Sequence, residues 1–249
     1  MPFNGVNNYK LTIQYDGTDF FGWQIQAKGK TIQGEITNAL EVLLKKKVTL
    51  IGAGRTDSGV HALGQTANFK TSEALDIYRF LFSLNSLLPF SIRISEMVKV
   101  HENFNSRFDA ISRTYFYQIS AKPSPFNQKF VWAYHKELDV HLLNNLTAPL
   151  LGRHDFAAFT KFADDREEHF CTLFSAKWSR FKNTVLFYIE ADRFLHGMVR
   201  AIVGTAVNIG KENGSPGDME AVVNSHDRKI ASASAPAKGL FLYKVKYPI

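Results

Sequence analysis

The run Gly52-Ala53-Gly54-Arg55-Thr56-Asp57-Ser58-Gly59-Val60-His61-Ala62 holds one carboxylate, Asp57, and one guanidinium, Arg55. Glycine at this density marks backbone that needs positive φ or must let another group approach closely. If Arg55 to Asp57 is extended, both side chains leave the same face, because a strand has a period of two. An arginine within ~4–6 Å would keep Asp57 ionised. An ionised, reachable carboxylate is a nucleophile or a base. The residues alone are also met by a plainer arrangement, a hairpin carrying a surface ion pair.

The flanking segments say what would hold this loop. Val48–Ile51 and Gln65–Phe69 read as strands on either side of it. Upstream, Lys10–Tyr15 alternates as a strand and Asp16–Asp19 is a turn. Thr31 caps a helix whose stripe is Ile32, Ile36, Ala39, Leu40, Leu43 and Leu44. Lys45-Lys46-Lys47 closes it and reads as a solvated face rather than a contact. A helix over Asp76–Leu87 stops before Pro89, and Ile92–Val100 is a strand. The order strand, helix, strand, strand, helix, strand is the ferredoxin-like pattern. The second half repeats it. Ser112–Ser120 is a strand with Thr114 and Phe116 on one face, Tyr115 and Tyr117 on the other. Leu138–Leu151 and Phe194–Ile209 are helices; Leu173–Phe181, Thr184–Ala191 and Gly239–Tyr247 are strands. The expected fold is α+β: two ferredoxin-like halves, residues 1–105 and 106–249. They could share one mainly antiparallel sheet with helices on one face, and a cleft on the other face would suit a nucleic-acid ligand.

Further segments carry functional residue types. Phe20-Phe21-Gly22-Trp23-Gln24 sets aromatics among amides in a loop, which suits contact with bases and sugars or a cap on the core. Arg113-Thr114-Tyr115-Phe116-Tyr117 and Phe194-Leu195-His196-Gly197-Met198-Val199-Arg200 are the others. On periodicity alone Arg200 falls off the apolar stripe and reads as solvated.

The nine residues Gly54–Ala62 resemble the GRTDxGVHA loop of the tRNA pseudouridine synthase A family. Tyr15–Gln24 resembles that family's YDGxxFxGWQxQ segment, Phe104–Ala110 with Arg113–Tyr117 its FxxRFxA…RxYxY, Leu151–Phe156 its LxGxHDF. Phe194–Gly204 resembles its FLxxMVRxIVG, and Ser234–Leu242 its APxxGLxL. The resemblance implies a synthase acting on uridines 38–40 in the anticodon arm of tRNA, by base flipping and with no cofactor. It makes Asp57 the nucleophile and Arg55 the residue that fills the space of the flipped nucleotide. Tyr115 packs on the base and handles the C5 proton, with Tyr117 as fallback. Arg200 pairs with Asp57, and Leu240, ahead of Leu242, lends an apolar wall. Gln24 and Arg113 join the substrate contacts. It also implies a homodimer. His154 reads as a satisfied structural histidine. The chain departs from the pattern at Ser58, often Ala, and at Cys171-Thr172-Leu173, often Arg-Thr-Ile, which touches one RNA contact. It departs again at Asp164–Glu168, acidic where a basic insert is expected.

Composition narrows the classes. The chain has 249 residues, 45% hydrophobic and 21% charged, with net charge +7. That is enough chain for a sizeable core, and the positive charge suits an anionic partner, nucleic acid first. The basic excess is spread over both halves, so any footprint must be made by folding. With Cys171 as the lone cysteine, an intramolecular disulfide, an Fe–S cluster and a multi-cysteine zinc site are excluded. The first eight residues lack the charged-then-apolar order of a signal peptide, and no apolar run reaches the ~18 residues of a membrane span. A cytoplasmic protein without membrane or metal partners is expected. A non-catalytic RNA-binding protein of ferredoxin-like fold is the competing reading, and it has no need of Asp57. A metal-dependent nuclease finds no ligand spacing in its favour.

Overall fold

The computed structural model describes residues 6–161 and 169–248. These form two compact units. The first closes at Ile111 and takes the chain back from Leu242; the second runs Ser112–Phe241. Both are α+β with antiparallel ladders.

The first unit begins with β1 (Asn7–Tyr15), then α1 (Ile32–Leu44), β2 (Leu50–Gly52) and β3 (His61–Thr71). Next come α2 (Ile77–Leu87) and β4 (Ile92–Val100). Strand β1 lies between β4 and β3, and β2 adds to the far side of β3, all antiparallel. This is the ferredoxin-like order that the sequence pattern predicts. Alternation puts Tyr9, Leu11, Ile13 and Tyr15 on one buried face of β1. Helix α1 packs on β2, α2 on β4, and the two helices touch. Thr31 caps α1 by accepting from the Gly34 amide, and Asp76 caps α2 by accepting from that of Arg79. Lys45 ends α1 in the left-handed conformation, φ 52°. Lys46 and Lys47 pair with Glu73 and Glu41 at 2.9 and 3.1 Å, which is the solvated role expected of them.

A buried polar network fixes the start of the segment leading out of β4. Asn8 Nδ2 donates to Phe104 O (2.8 Å), and Asn68 Nδ2 donates to Asn8 Oδ1 (3.0 Å). The Ser106 amide donates to Asn68 Oδ1 (2.9 Å), and Ser106 Oγ to Ile51 O (2.5 Å). Buried amides must find partners. These ones find them in a segment with no ladder of its own.

The second unit begins with β5 (Ser112–Ser120), β6 (Trp132–Ala133), α3 (Val140–Thr147) and β7 (Gly152–Asp155). It continues through β8 (Phe170–Phe181), β9 (Thr184–Ala191), α4 (Met198–Lys211) and α5 (Pro216–Ser225). The last strand of the chain is β10 (Leu240–Lys246), which belongs to the second unit through Phe241 and to the first from Leu242. The antiparallel order is β5-β9-β8-β7, with β6 parallel to β5. Helix α3 packs on β8 and, with α4 and α5, makes a helical layer. Trp178 stacks on Phe187 with centroids 4.4 Å apart beneath it. The acidic stretch Asp164–Glu168 lies outside the described residues.

Candidate active site

In the first unit the loop between β2 and β3 is pinned from several sides. The Ala53 amide donates to Thr66 O at 2.8 Å, and Gln65 Nε2 donates to Gly54 O at 2.9 Å. Trp23 N donates to Thr56 O at 3.1 Å, and Ser58 Oγ to Phe20 O at 3.0 Å. Beneath the loop, Tyr15 Oη and Thr56 Oγ1 share a buried hydrogen bond of 2.8 Å. Between these anchors Asp57 is half-buried and Arg55 exposed. Loop backbone held this firmly presents a side chain at a fixed place, as a catalytic carboxylate requires.

The aromatic loop caps the core with two of its three rings. Phe20 and Trp23 are buried, and Phe21 is exposed. Trp23 lies where a Cβ on Gly52 would be, 2.6 Å from the indole, so that glycine is there to admit the ring. Gly22 has φ +85°, and a Cβ there would stand 2.5 Å from Thr56 O. Gln24 is brought to the loop: Arg55 Nε donates to Gln24 Oε1 at 3.0 Å. Among the described residues the bond made by Arg55 runs to Gln24 and not to Asp57, so the hairpin with an internal ion pair is not what the chain forms. Ser58 turns its departure from the family pattern into a bond with the aromatic loop.

In the second unit, Tyr115, Tyr117 and Leu240 are buried, while Arg113 and Arg200 are half-buried. Tyr115 meets the edge of Phe194 at 5.1 Å and 85°. Arg113 Nη1 donates to Asp192 O at 2.7 Å. Tyr117 Oη donates to Pro236 O at 2.7 Å, and a Cβ on Gly239 would strike its ring at 2.6 Å. Burial pushes the Tyr117 phenol far above its usual range, and nearby Arg200 only partly offsets this. The group therefore stays protonated and holds the Pro236–Gly239 turn.

Arg200 is not the solvated residue that helical periodicity predicts. Its Nε donates to Ala235 O at 2.8 Å, and the Ala235 amide donates back to Arg200 O at 2.9 Å. A Cβ on Gly204 would strike Ala233 O. Helix α4 thus clamps the 232–236 segment, and the clamp orients the arginine. Gly197, φ +75°, precedes α4 and starts it at Met198. His154 is satisfied by Leu151 O at 2.8 Å. Cys171 is buried, so the side chain at this position faces the interior, and that burial pushes its thiol up to about 12. Sequence reasoning missed the tie between Tyr15 and Thr56. Both lie in quoted motifs, but nothing in their spacing joins them. Among the described residues no group of His, Cys, Asp and Glu is placed to hold a metal. No helix there is long and apolar enough to cross a membrane.

Comparison with known proteins adds a decisive observation. A family model described as tRNA pseudouridine synthase matches residues 11–109 and 147–248. The chain belongs to the tRNA pseudouridine synthase family. It is 39% identical over 243 residues to a protein named tRNA pseudouridine synthase A from Azobacteroides pseudotrichonymphae genomovar. CFP2, covering 98% of both. It is 42% identical over 239 residues to the protein of the same name from Chlorobaculum tepidum, covering 96% of this chain and 97% of that one. Another, from Brachyspira hyodysenteriae, is 41% identical over 240 residues, covering 95% and 96%. Within the synthase family match lie Asp57, Arg55, Gln24, Arg200 and Leu240. Arg113, Tyr115 and Tyr117 fall between the matched segments.

Proposed function

We propose that this protein isomerises uridine to pseudouridine in tRNA, with Asp57 as the nucleophile. One observation carries the reading: the GRTD loop is found intact in a chain about 40% identical, end to end, to proteins named for this activity. Its backbone is pinned on both sides of Asp57.

The chemistry follows from the reaction's balance. The C1′–N1 bond breaks, the uracil turns, and C5 bonds C1′. The proton at C5 leaves, and N1 gains one. Substrate and product are isomers, so the reaction consumes neither electrons nor water, and no cofactor is called for. A base inside a stem is out of reach and must be flipped out. Asp57 attacks C1′ or C6, or assists a glycal route. Arg55, exposed and planar, fills the space of the flipped nucleotide and takes phosphate. Tyr115 packs on the base and handles the C5 proton. The family resemblance gives Arg200 the role of keeping Asp57 charged and oriented. Tyr117 supports Leu240 through the Pro236–Gly239 turn, while Gln24 and Arg113 steady the substrate. The family resemblance extends the reading to uridines 38–40 of the anticodon arm, to a homodimer and to the cytoplasm.

The test is tritium release from C5-labelled uridine in unmodified tRNA. Release that rises to the number of target uridines is expected. No release, with tRNA bound and intact, would leave only the RNA-binding reading.

A further inference from the structure

His61 closes the Asp57 loop and has no role in the reaction derived above. It is 1% exposed and is the first residue of β3. The β1–β3 ladder ends at the pair Tyr15 and Ala62. Beyond it the imidazole supplies one more rung: the buried Gly17 amide donates to His61 Nδ1 at 3.0 Å. Asp16 Oδ1 lies 3.2 Å from the same nitrogen and already accepts from the Thr18 amide at 3.0 Å and hydroxyl at 2.5 Å. A proton on Nδ1 would face the Gly17 N–H, so the bond assigns the ring proton to Nε2. The packing is close as well, since a Cβ on Gly17 would strike Val60 O.

This rung reaches Asp57 through one end of the aromatic loop. Phe20 N donates to Gly17 O at 3.1 Å, and Phe20 O accepts from Ser58 Oγ at 3.0 Å. Val60 N donates to Asp57 O at 3.2 Å. The turn held by His61 therefore grips Ser58, and the Val60 backbone it packs against grips Asp57 itself. The other end of the aromatic loop is held separately by α1. There Ile32 N donates to Gly22 O at 3.1 Å and Gln33 N to Trp23 O at 3.0 Å. Gln24, with its bond to Arg55, sits at that end. Loss of the rung should disturb the aim of Asp57 and spare the arginine.

We infer that His61 is a positioning residue: its imidazole, accepting at Nδ1, holds the Gly17 turn against Val60 and so sets the aim of Asp57. The inference rests on the synthase reading above. His61→Phe keeps a ring and removes the acceptor, whereas His61→Asn returns an amide oxygen close to the place of Nδ1. In tritium release, kcat of His61→Phe is expected to fall by about tenfold to about 100-fold. Its tRNA affinity should stay near that of wild type, and His61→Asn should recover most of the lost kcat. Wild-type kcat in His61→Phe overturns the inference. So does a loss that His61→Asn leaves in place, or an affinity that falls as far as kcat. A second measurement does not need His61→Phe to fold: NMR of the imidazole nitrogens in wild type, with the His61 signal identified by its absence from His61→Asn. A bare Nδ1 and a protonated Nε2 are expected, and a proton on Nδ1 overturns the inference. Wild type that releases no tritium overturns the synthase reading and the inference with it; every other failure occurs with wild type active.

Discussion

The Tyr15 phenol and the Thr56 hydroxyl meet at 2.8 Å inside the first unit. Tyr15 is the last residue of β1 and Thr56 the residue before Asp57, so the bond ties the sheet to the candidate nucleophile. Thr56→Val keeps the shape and leaves the phenol without this partner. A stability loss of about 1–3 kcal/mol is expected in urea unfolding. Turnover should fall further than the tRNA dissociation constant rises, since the loop would lose its aim before its charge. A kcat equal to wild type would show that the bond does not position Asp57.

The two glycines before Arg55 should behave in opposite ways. Gly52 gives its space to Trp23, so Gly52→Ala forces the indole or the strand to move. A large drop in melting temperature is expected. At Gly54 an added Cβ meets nothing within 4 Å, and its φ is not in the left-handed region. Folding therefore gives no reason for a glycine there, and the open space beside Arg55 suits a closely approaching ligand. Gly54→Ala should melt like wild type but lose about tenfold or more in kcat/KM, about 1.4 kcal/mol. Full activity would remove Gly54 from the site.

Several elements were legible because one local signal dominated. Ile92–Val100 and Ser112–Ser120, read as strands from their sequence pattern, form β4 and β5 with those bounds. Thr31 and Asp76 are cap residues at the true starts of α1 and α2. Other elements depended on signals that periodicity does not carry. Helix α3 is shorter than Leu138–Leu151, because Asp139 caps it and Pro149 sits in a 3₁₀ turn over Ala148–Leu150. Helix α4 starts at Met198 and not Phe194, because Gly197 turns left-handed. Helix α5 has few apolar residues, and its evident mark is the Ser215–Asp218 capping box with Pro216 at its first position. Strands β6 and β7 are too short to show a period. At the site, Arg55 and Asp57 stand out only through the motif. The partner of Arg55, Gln24, is remote in sequence, and Arg200 is half-buried because a loop from beyond α5 folds onto it.

Cys171 should make stability depend on alkaline pH. Burial pushes its thiol up to about 12 in the folded chain, with Arg193 lowering it and Asp192 and Asp155 raising it. An unfolded thiol titrates near ~8.5. The folded state holds the proton more tightly, so this contribution is fully present below about 8.5 and is lost as pH rises toward about 12. Between pH 8 and 10.5 the urea midpoint of wild type should fall more steeply than that of Cys171→Ala. Every other ionisable group is common to the two proteins, so the difference between the slopes belongs to Cys171. Equal slopes would mean that the thiol is not shielded.

The sharpest expectation separates Asp57 from Arg55. Asp57→Asn keeps the shape and removes the proposed nucleophile and its charge. Turnover should vanish by several orders of magnitude, as it does when a nucleophile is removed elsewhere. Binding should survive or tighten, because a negative charge near phosphate is gone. Arg55→Ala should also lose turnover, but with weaker binding or failed flipping, because the proposed phosphate contact is an exposed guanidinium. Arg55→Lys should restore little, because a point charge cannot both bond Gln24 and present a planar fork to phosphate. Gln24→Ala leaves the guanidinium in place without its 3.0 Å anchor. It should raise KM more than it lowers kcat. A surface pair of no catalytic weight predicts something else for all four variants: about 1 kcal/mol of stability at most and near-normal activity. Tritium release and tRNA affinity, measured on variants shown to be folded, decide between them. Substantial turnover by Asp57→Asn would end the case for Asp57 as the nucleophile.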